Sequence, residues 1–111
     1  MKTIKILLAD DHQILLDGLK SMLEEEENFE IVGMAPNGVE ALQILEKQEV
    51  DILILDLQMP RMDGMETTII ARKQYPDLKI LILTTNDEGS IITEILKNGA
   101  NGYLLKNTSQ T

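Results

Sequence analysis

Five short aliphatic runs set the fold. Ile4–Ala9, Glu30–Ala35, Ile52–Leu55, Lys79–Leu83 and Gly102–Leu105 are mostly unbroken stretches of Ile, Leu and Val, and their first residues lie 22 to 27 positions apart. Continuous apolar runs of this kind suit parallel strands that are covered on both faces. The spacing leaves room for one crossover helix between successive strands, the pattern of βαβ units, whose connections are right-handed almost without exception. An α/β protein with a doubly wound, five-stranded parallel sheet is therefore expected. One domain over residues 1–111 suffices: the chain is too short for two cores, yet long enough to bury roughly two-thirds of its unfolded surface.

Segments of helical period fill the gaps. In His12–Glu24 the buried face is expected to carry Leu15, Leu19, Met22 and Leu23, and the run Glu24–Glu27 reads as a solvated helix end. Asn37 and Glu40 have the spacing of a capping pair ahead of a stripe of Ala41, Leu42 and Leu45. A third helix is predicted from about Asp63 to Gln74, closed by Pro76. A fourth, near Gly89–Lys97, should end at Asn98-Gly99, a common C-terminal cap.

Composition removes several function classes. Ten basic residues against nineteen acidic ones leave a net charge of -9, which repels nucleic-acid phosphates and anionic lipid. The absence of cysteine excludes a disulfide scaffold, thiolate zinc and thiol chemistry together. The N-terminal run meets Asp10 and Asp11 too early for a signal peptide, and nothing later is long enough to span a membrane. A cytoplasmic protein without membrane partners is the expectation.

The polar residues fall where the runs end. Asp10 and Asp11 follow the first, Asp56 the third, Thr84 the fourth and Lys106 the fifth, whereas the second ends in Ala35-Pro36 and offers nothing. Open parallel sheets form their sites outside the carboxyl ends of the strands, where strand order reverses. The order 2-1-3-4-5 makes the first, third, fourth and fifth strands contiguous and leaves the second at an edge, which accounts for its silence. Taken singly, each residue has an ordinary explanation. Asp10 and Asp11 serve equally well as helix caps, Thr84 as a turn hydroxyl and Lys106 as a surface lysine. Asp56 resists that treatment, because no helical stripe begins until Asp63 and the loop between carries Pro60. Together the set is improbable as accident. Three carboxylates at one rim repel one another unless a cation sits among them, and all-oxygen ligands favour Mg²⁺ over zinc. A carboxylate beside Mg²⁺, an ammonium and a hydroxyl is suited to accepting a phosphoryl group.

The segments LLADDH (Leu7–His12), ILILDLQMPRMDG (Ile52–Gly64), LILTT (Leu81–Thr85) and GANGYLLK (Gly99–Lys106) resemble, in that order, the receiver domains of two-component response regulators. The first and last look most like the subfamily with LuxR-type helix-turn-helix outputs. The resemblance implies a flavodoxin-like (CheY-like) fold and a signalling phosphoacceptor, not an enzyme beyond its own phosphorylation and slow dephosphorylation. It implies Asp56 as the phosphorylation site and a Mg²⁺ ion held by Asp10, Asp11, Asp56 and the backbone carbonyl of Gln58, with Asp10 acting mainly through water. It implies Thr84 and Lys106 on the phosphoryl oxygens, and Tyr103 as an aromatic that turns inward on activation; an ordinary half-buried strand tyrosine is the plain alternative. The partners implied are a sensor histidine kinase, a second copy on activation, and DNA only through an output domain not present here. His12 is a candidate second phosphate carrier or ligand, but its position in the first helix turn favours a surface residue near the pocket; Met59 and Met62 read as loop packing.

This sequence departs from the family pattern in places. Asn107 stands where many receivers have a proline after a cis bond, so no cis peptide is expected there. Thr85 stands where a smaller residue is common, which narrows access to the acyl phosphate. Receivers also carry a fifth helix beside the first, whereas here Thr108-Ser109 resemble its N-cap with two residues following. The chain is thus read as part of a longer regulator. An apolar strip over Ile6, Leu8, Leu81 and Leu83 or their alternating neighbours is expected, hidden by a second copy or a foreign apolar surface. Three rivals share the sheet. A haloacid-dehalogenase-type phosphatase needs a second acid where Gln58 stands, and a nucleotide or flavin binder needs a glycine-rich loop where Asp10-Asp11-His12 stands. A purely structural module leaves the full residue set unexplained.

Overall fold

The computed structural model describes residues 2–85 and 89–106. In chain order its elements are β1 (Ile4–Ala9), α1 (Gln13–Glu24), β2 (Phe29–Ala35), α2 (Gly38–Lys47), β3 (Ile52–Asp56), α3 (Gly64–Gln74), β4 (Lys79–Thr84), α4 (Gly89–Lys97) and β5 (Gly102–Leu105). The strands form one sheet in the order β2-β1-β3-β4-β5, every pair parallel. This is the expected doubly wound arrangement.

Three strands run further than the sequence suggested: β2 begins at Phe29, paired with Ile4, and β3 and β4 each gain a final residue. Asp56 and Thr84 are the last residues of β3 and β4, because Asp56 is paired with Leu83 and Thr84 with Leu105 in the ladder. His12 is the N-cap of α1 and keeps an extended backbone, φ −101° and ψ 100°, so the helix starts one residue later than expected. The capping pair at α2 is as predicted: Asn37 Oδ1 accepts from Glu40 N at 2.9 Å, and Asn37 Nδ2 donates to Glu40 Oε2 at 3.3 Å. Asp63 caps α3 in the same way, accepting from Glu66 N at 2.9 Å. Gly99, at φ +117°, ends α4 in the left-handed region that glycine enters at little cost.

Alternation along the strands divides the core in two. Leu7, Ala9, Leu53, Leu55, Ile80 and Ile82 face Ala41 and Leu45 of α2, Ala71 of α3 and Ile95 of α4. Ile6, Leu8, Ile54 and Leu83 face α1, which contributes Leu16, with Leu15, Leu19 and Leu23 around it. Right-handed crossovers demand this distribution once the strand order reverses at β1. Leu16 takes the place expected of Met22, which is 60% exposed.

Ile6, Leu8 and Leu83 are buried and Leu81 is half-buried, so these strands are not bare. Among the described residues, the large apolar side chains that do reach solvent are Ile14 and Met22 on α1, Ile69 on α3, Leu96 on α4, and Tyr103, Leu104 and Leu105 on β5. The expectations for Asn107 and for Thr108-Ser109 lie outside the described residues. No described helix is long and apolar enough to cross a membrane.

A guanidinium fixes one corner. Arg72 of α3 donates through Nε and Nη2 to Gly99 O at 3.0 and 2.8 Å, and through Nη1 to the carbonyls of Tyr75 and Pro76. Its Nη2 also reaches Asn101 Oδ1 at 2.8 Å, an oxygen that accepts from Ile80 N at the same distance. The end of α3, the end of α4 and the starts of β4 and β5 are thereby joined.

Candidate functional site

The carboxyl ends of β1, β3, β4 and β5 converge on a cleft of about 620 Å³ lined by Asp11, His12, Asp56, Gln58, Thr84 and Lys106, among others. Asp10 lies just beneath it, fully buried, its backbone N–H donating to Ala35 O at 2.9 Å. Every residue that the sequence assigned to the pocket is at this end of the sheet. Tyr103, three residues before Lys106 and paired with Ile82, is 38% exposed.

Lys106 is the electrostatic centre. Its Nζ donates to Asp56 Oδ2 at 3.1 Å and lies 3.2 Å from Asp10 Oδ2, with a side chain only 15% exposed. The second contact is an ion pair without hydrogen-bond alignment, so the buried Asp10 Oδ2 has a charge beside it but no hydrogen bond. Burial pushes the Asp56 carboxyl above its ordinary range and the Asp10 charge adds to the push; Lys106 and the Gln58 N–H pull back without prevailing. Burial disfavours the Lys106 charge, but its hydrogen bond to Asp56 and the attraction of Asp56 and Asp10 outweigh it and hold the ammonium above the usual lysine value. Thr84 is buried at the end of β4, and its carbonyl accepts from Lys106 N at 2.8 Å, tying the two strand ends together.

The loop after Asp56 is held from several sides. Leu57 N donates to Leu83 O at 2.9 Å, Gly64 N to Leu57 O at 2.8 Å and Gly38 N to Met62 O at 3.2 Å. A tight turn closes from Met62 N to Pro60 O at 2.7 Å across Arg61, at φ +68°. Gly64 packs so closely that a Cβ there would overlap Asp56 O and stand 2.9 Å from Leu57 Cα. Gly64→Ala is expected to cost about 1–3 kcal/mol by displacing this backbone. Urea unfolding measures it, and an unchanged midpoint would mean that the loop yields freely.

His12 is the exposed residue beside the pocket that the sequence suggested, and it also touches the carboxylates: its Nδ1 lies 2.8 Å from Asp10 Oδ1 and 3.3 Å from Asp11 Oδ1, and its backbone N–H donates to Asp10 Oδ1 at 2.8 Å. Adjacency to two aspartates was the available signal. Among the described residues, ligand atoms of Asp10, Asp11, His12 and Asp56 all lie within 4.8 Å of one another, a cluster able to hold a metal ion. A buried carboxylate oxygen lacking a hydrogen bond, among further carboxylates, fits a hard divalent cation.

Residues 6–111 match the family model of the response regulator receiver domain. The chain belongs to that family. This receiver domain is 41% identical over 103 residues to the transcriptional regulatory protein DegU of Brevibacillus brevis, covering 93% of this chain and 44% of that protein. In structure it is similar to the signal receiver domain of NarL from Mycobacterium tuberculosis, with TM-score 0.91, 28% identity and coverage of 98% and 88%. It is similar also to RcsB from Salmonella enterica serovar Typhimurium, solved on promoter rprA with the phosphomimetic BeF3-, at TM-score 0.88, 30% identity and coverage of 99% and 63%. The chain spans about half the length of the curated relatives it matches. It is the receiver domain of a two-component response regulator, related to DNA-binding regulators of the LuxR family.

Proposed function

We propose that Asp56 accepts a phosphoryl group from a histidine of a sensor kinase, with Mg²⁺ bound, and that the receiver then changes conformation to control a DNA-binding output domain. The observation that carries this is the Lys106–Asp56–Asp10 arrangement at the sheet's carboxyl end, a buried acceptor carboxylate with a cation on one side and further carboxylates on the other. A Mg²⁺ ion held by Asp11 and Asp56, by Asp10 through water and by the Gln58 carbonyl, would neutralise charge on the transferring group. Asp56 supplies the attacking oxygen. As its new O–P bond forms, the P–N bond to the donor histidine breaks and the ring nitrogen keeps the electron pair. Lys106, already 3.1 Å from Asp56 Oδ2, follows the phosphoryl oxygens, and Thr84 offers its hydroxyl from the next strand.

The role is that of a signalling phosphoacceptor in the cytoplasm. Phosphate on Asp56 draws Thr84 toward it, Tyr103 fills the space vacated, and β4, α4 and β5 form the face that a second copy or an output domain reads. Incubation with Mg²⁺ and a small acyl phosphate should give an acid-resistant, base-labile adduct on Asp56, absent in excess chelator. Continuous turnover would favour a phosphatase, and no reaction a purely structural module. Thr84→Ala should retain some phosphorylation but lose the chemical-shift changes around Tyr103; wild-type changes there would overturn the coupling route.

A further inference from the structure

We infer that His12 adds a nitrogen donor to the cation site, so that this receiver holds a first-row transition ion through imidazole while Mg²⁺ is held by oxygen alone. The inference rests on the reading of Asp10, Asp11 and Asp56 as the cation site and goes beyond it. Three observations carry it. The first is distance: Nδ1 lies 2.8 Å from Asp10 Oδ1 and 3.3 Å from Asp11 Oδ1, and neighbouring ligands on an octahedral ion with bonds of about 2.1 Å lie about 3 Å apart. The second is tethering. Asp10 Oδ1 also accepts the His12 backbone N–H, so the ring's root is anchored to the carboxylate it faces.

The third is the cluster itself: ligand atoms of Asp10, Asp11, His12 and Asp56 lie within 4.8 Å of one another, and Lys106 Nζ, 3.2 Å from Asp10 Oδ2 and 3.4 Å from His12 Nδ1, marks the place as one that takes positive charge. The ring itself is 63% exposed, free to turn, with solvent available to whichever nitrogen does not bind. Coordination requires the Nδ1 lone pair, and the neutral ring then carries its single proton on Nε2. Imidazole is a good donor to the later first-row ions, a weaker one to Mn²⁺ and a poor one to Mg²⁺, so His12 discriminates between first-row ions and Mg²⁺, with Mn²⁺ the mildest case.

The experiment uses the tag-free protein, whose one histidine makes any imidazole signal that of His12. Mn²⁺ is titrated and followed by its EPR signal, and pulsed EPR then reads the nuclei bonded to the bound ion. The expected result is bound Mn²⁺ with the nitrogen modulation of a coordinated imidazole. In His12→Gln the modulation should vanish and Mn²⁺ affinity fall about tenfold, while Mg²⁺ affinity, measured by competition, changes less than about twofold. Bound Mn²⁺ without nitrogen modulation, or equal loss of both ions in His12→Gln, would overturn the inference and leave the carboxylate site standing. Failure of Mn²⁺ and Mg²⁺ to bind at all would overturn both.

Discussion

Asp56→Asn is expected to abolish covalent phosphorylation and, in the metal-free protein, to raise stability at neutral pH. The first effect follows from loss of the attacking carboxylate, since an amide oxygen is a far weaker nucleophile. The second follows from the direction of the Asp56 shift. Burial leads that shift upward and the Asp10 charge reinforces it, so folding works against the ionised form. The sign is then fixed. Above the unfolded value of 3.8 and up to the raised folded value, the folded chain binds more protons than the unfolded one, so stability falls as pH rises through that window. Below the window both states are protonated and the penalty is absent; above it the penalty is complete. Asn carries none of it at any pH. Urea unfolding of both proteins in chelator should show a gap at neutral pH, a few degrees in Tm, that closes as pH drops through the window. Equal stability at neutral pH would mean that Lys106 fully compensates the buried charge.

Lys106→Met is expected to act in the opposite sense. Phosphorylation should slow by about 10²–10³-fold, the range for removing one charge-stabilising donor from a reacting centre. Stability should fall at neutral pH, because Asp10 and Asp56 lose the cation that lies 3.2 and 3.1 Å from them. Breaking a fully buried pair costs about 3–5 kcal/mol, and the 15% exposure of Lys106 places the loss toward or below the lower end. The lysine's own shift adds an alkaline signature. Asp56 and Asp10 overcome burial and hold its pKa above 10.5, so its contribution is complete below that value and lost as pH rises through the folded one. The methionine variant should lack that alkaline decline. The two substitutions share one contact and should not add: Lys106→Met ought to cost less in the Asp56→Asn background. Strict additivity in a double-mutant cycle would mean that the pair is not coupled.

The strand order was legible because a residue type was missing. Ala35-Pro36 closes β2 without a functional group, and only an edge position explains that. The ends of β3 and β4 were harder to place. Asp and Thr after an aliphatic run look like the start of a loop, and it is the neighbouring strand, through Leu83 and Leu105, that extends the ladder over them. On α1 the apolar positions 15, 16, 19, 22 and 23 allow more than one stripe. Packing against Ile6, Leu8 and Leu83 chose the stripe containing Leu16 and turned Met22 outward. His12 was legible as a residue beside the pocket, but its contacts were not. They involve the Asp10 side chain and a lysine 94 positions away, which comes within 3.4 Å of the His12 ring only when β5 closes the sheet.

The Arg72 fork has a mechanical consequence. It joins the end of α4 to α3 and to the start of β5, at the edge of the sheet opposite the cleft. The fourth helix thus resembles a cantilever, pinned at Gly99 and running from there toward its first turn, where Ile91 lines the cleft. Displacement along such a beam grows with distance from the pin. At 1.5 Å per residue, a tilt of about five degrees over this helix moves its first turn by roughly 1 Å and its last turn hardly at all. A disturbance at the rim is therefore turned into rotation of one whole face, with the opposite corner as its fixed bearing.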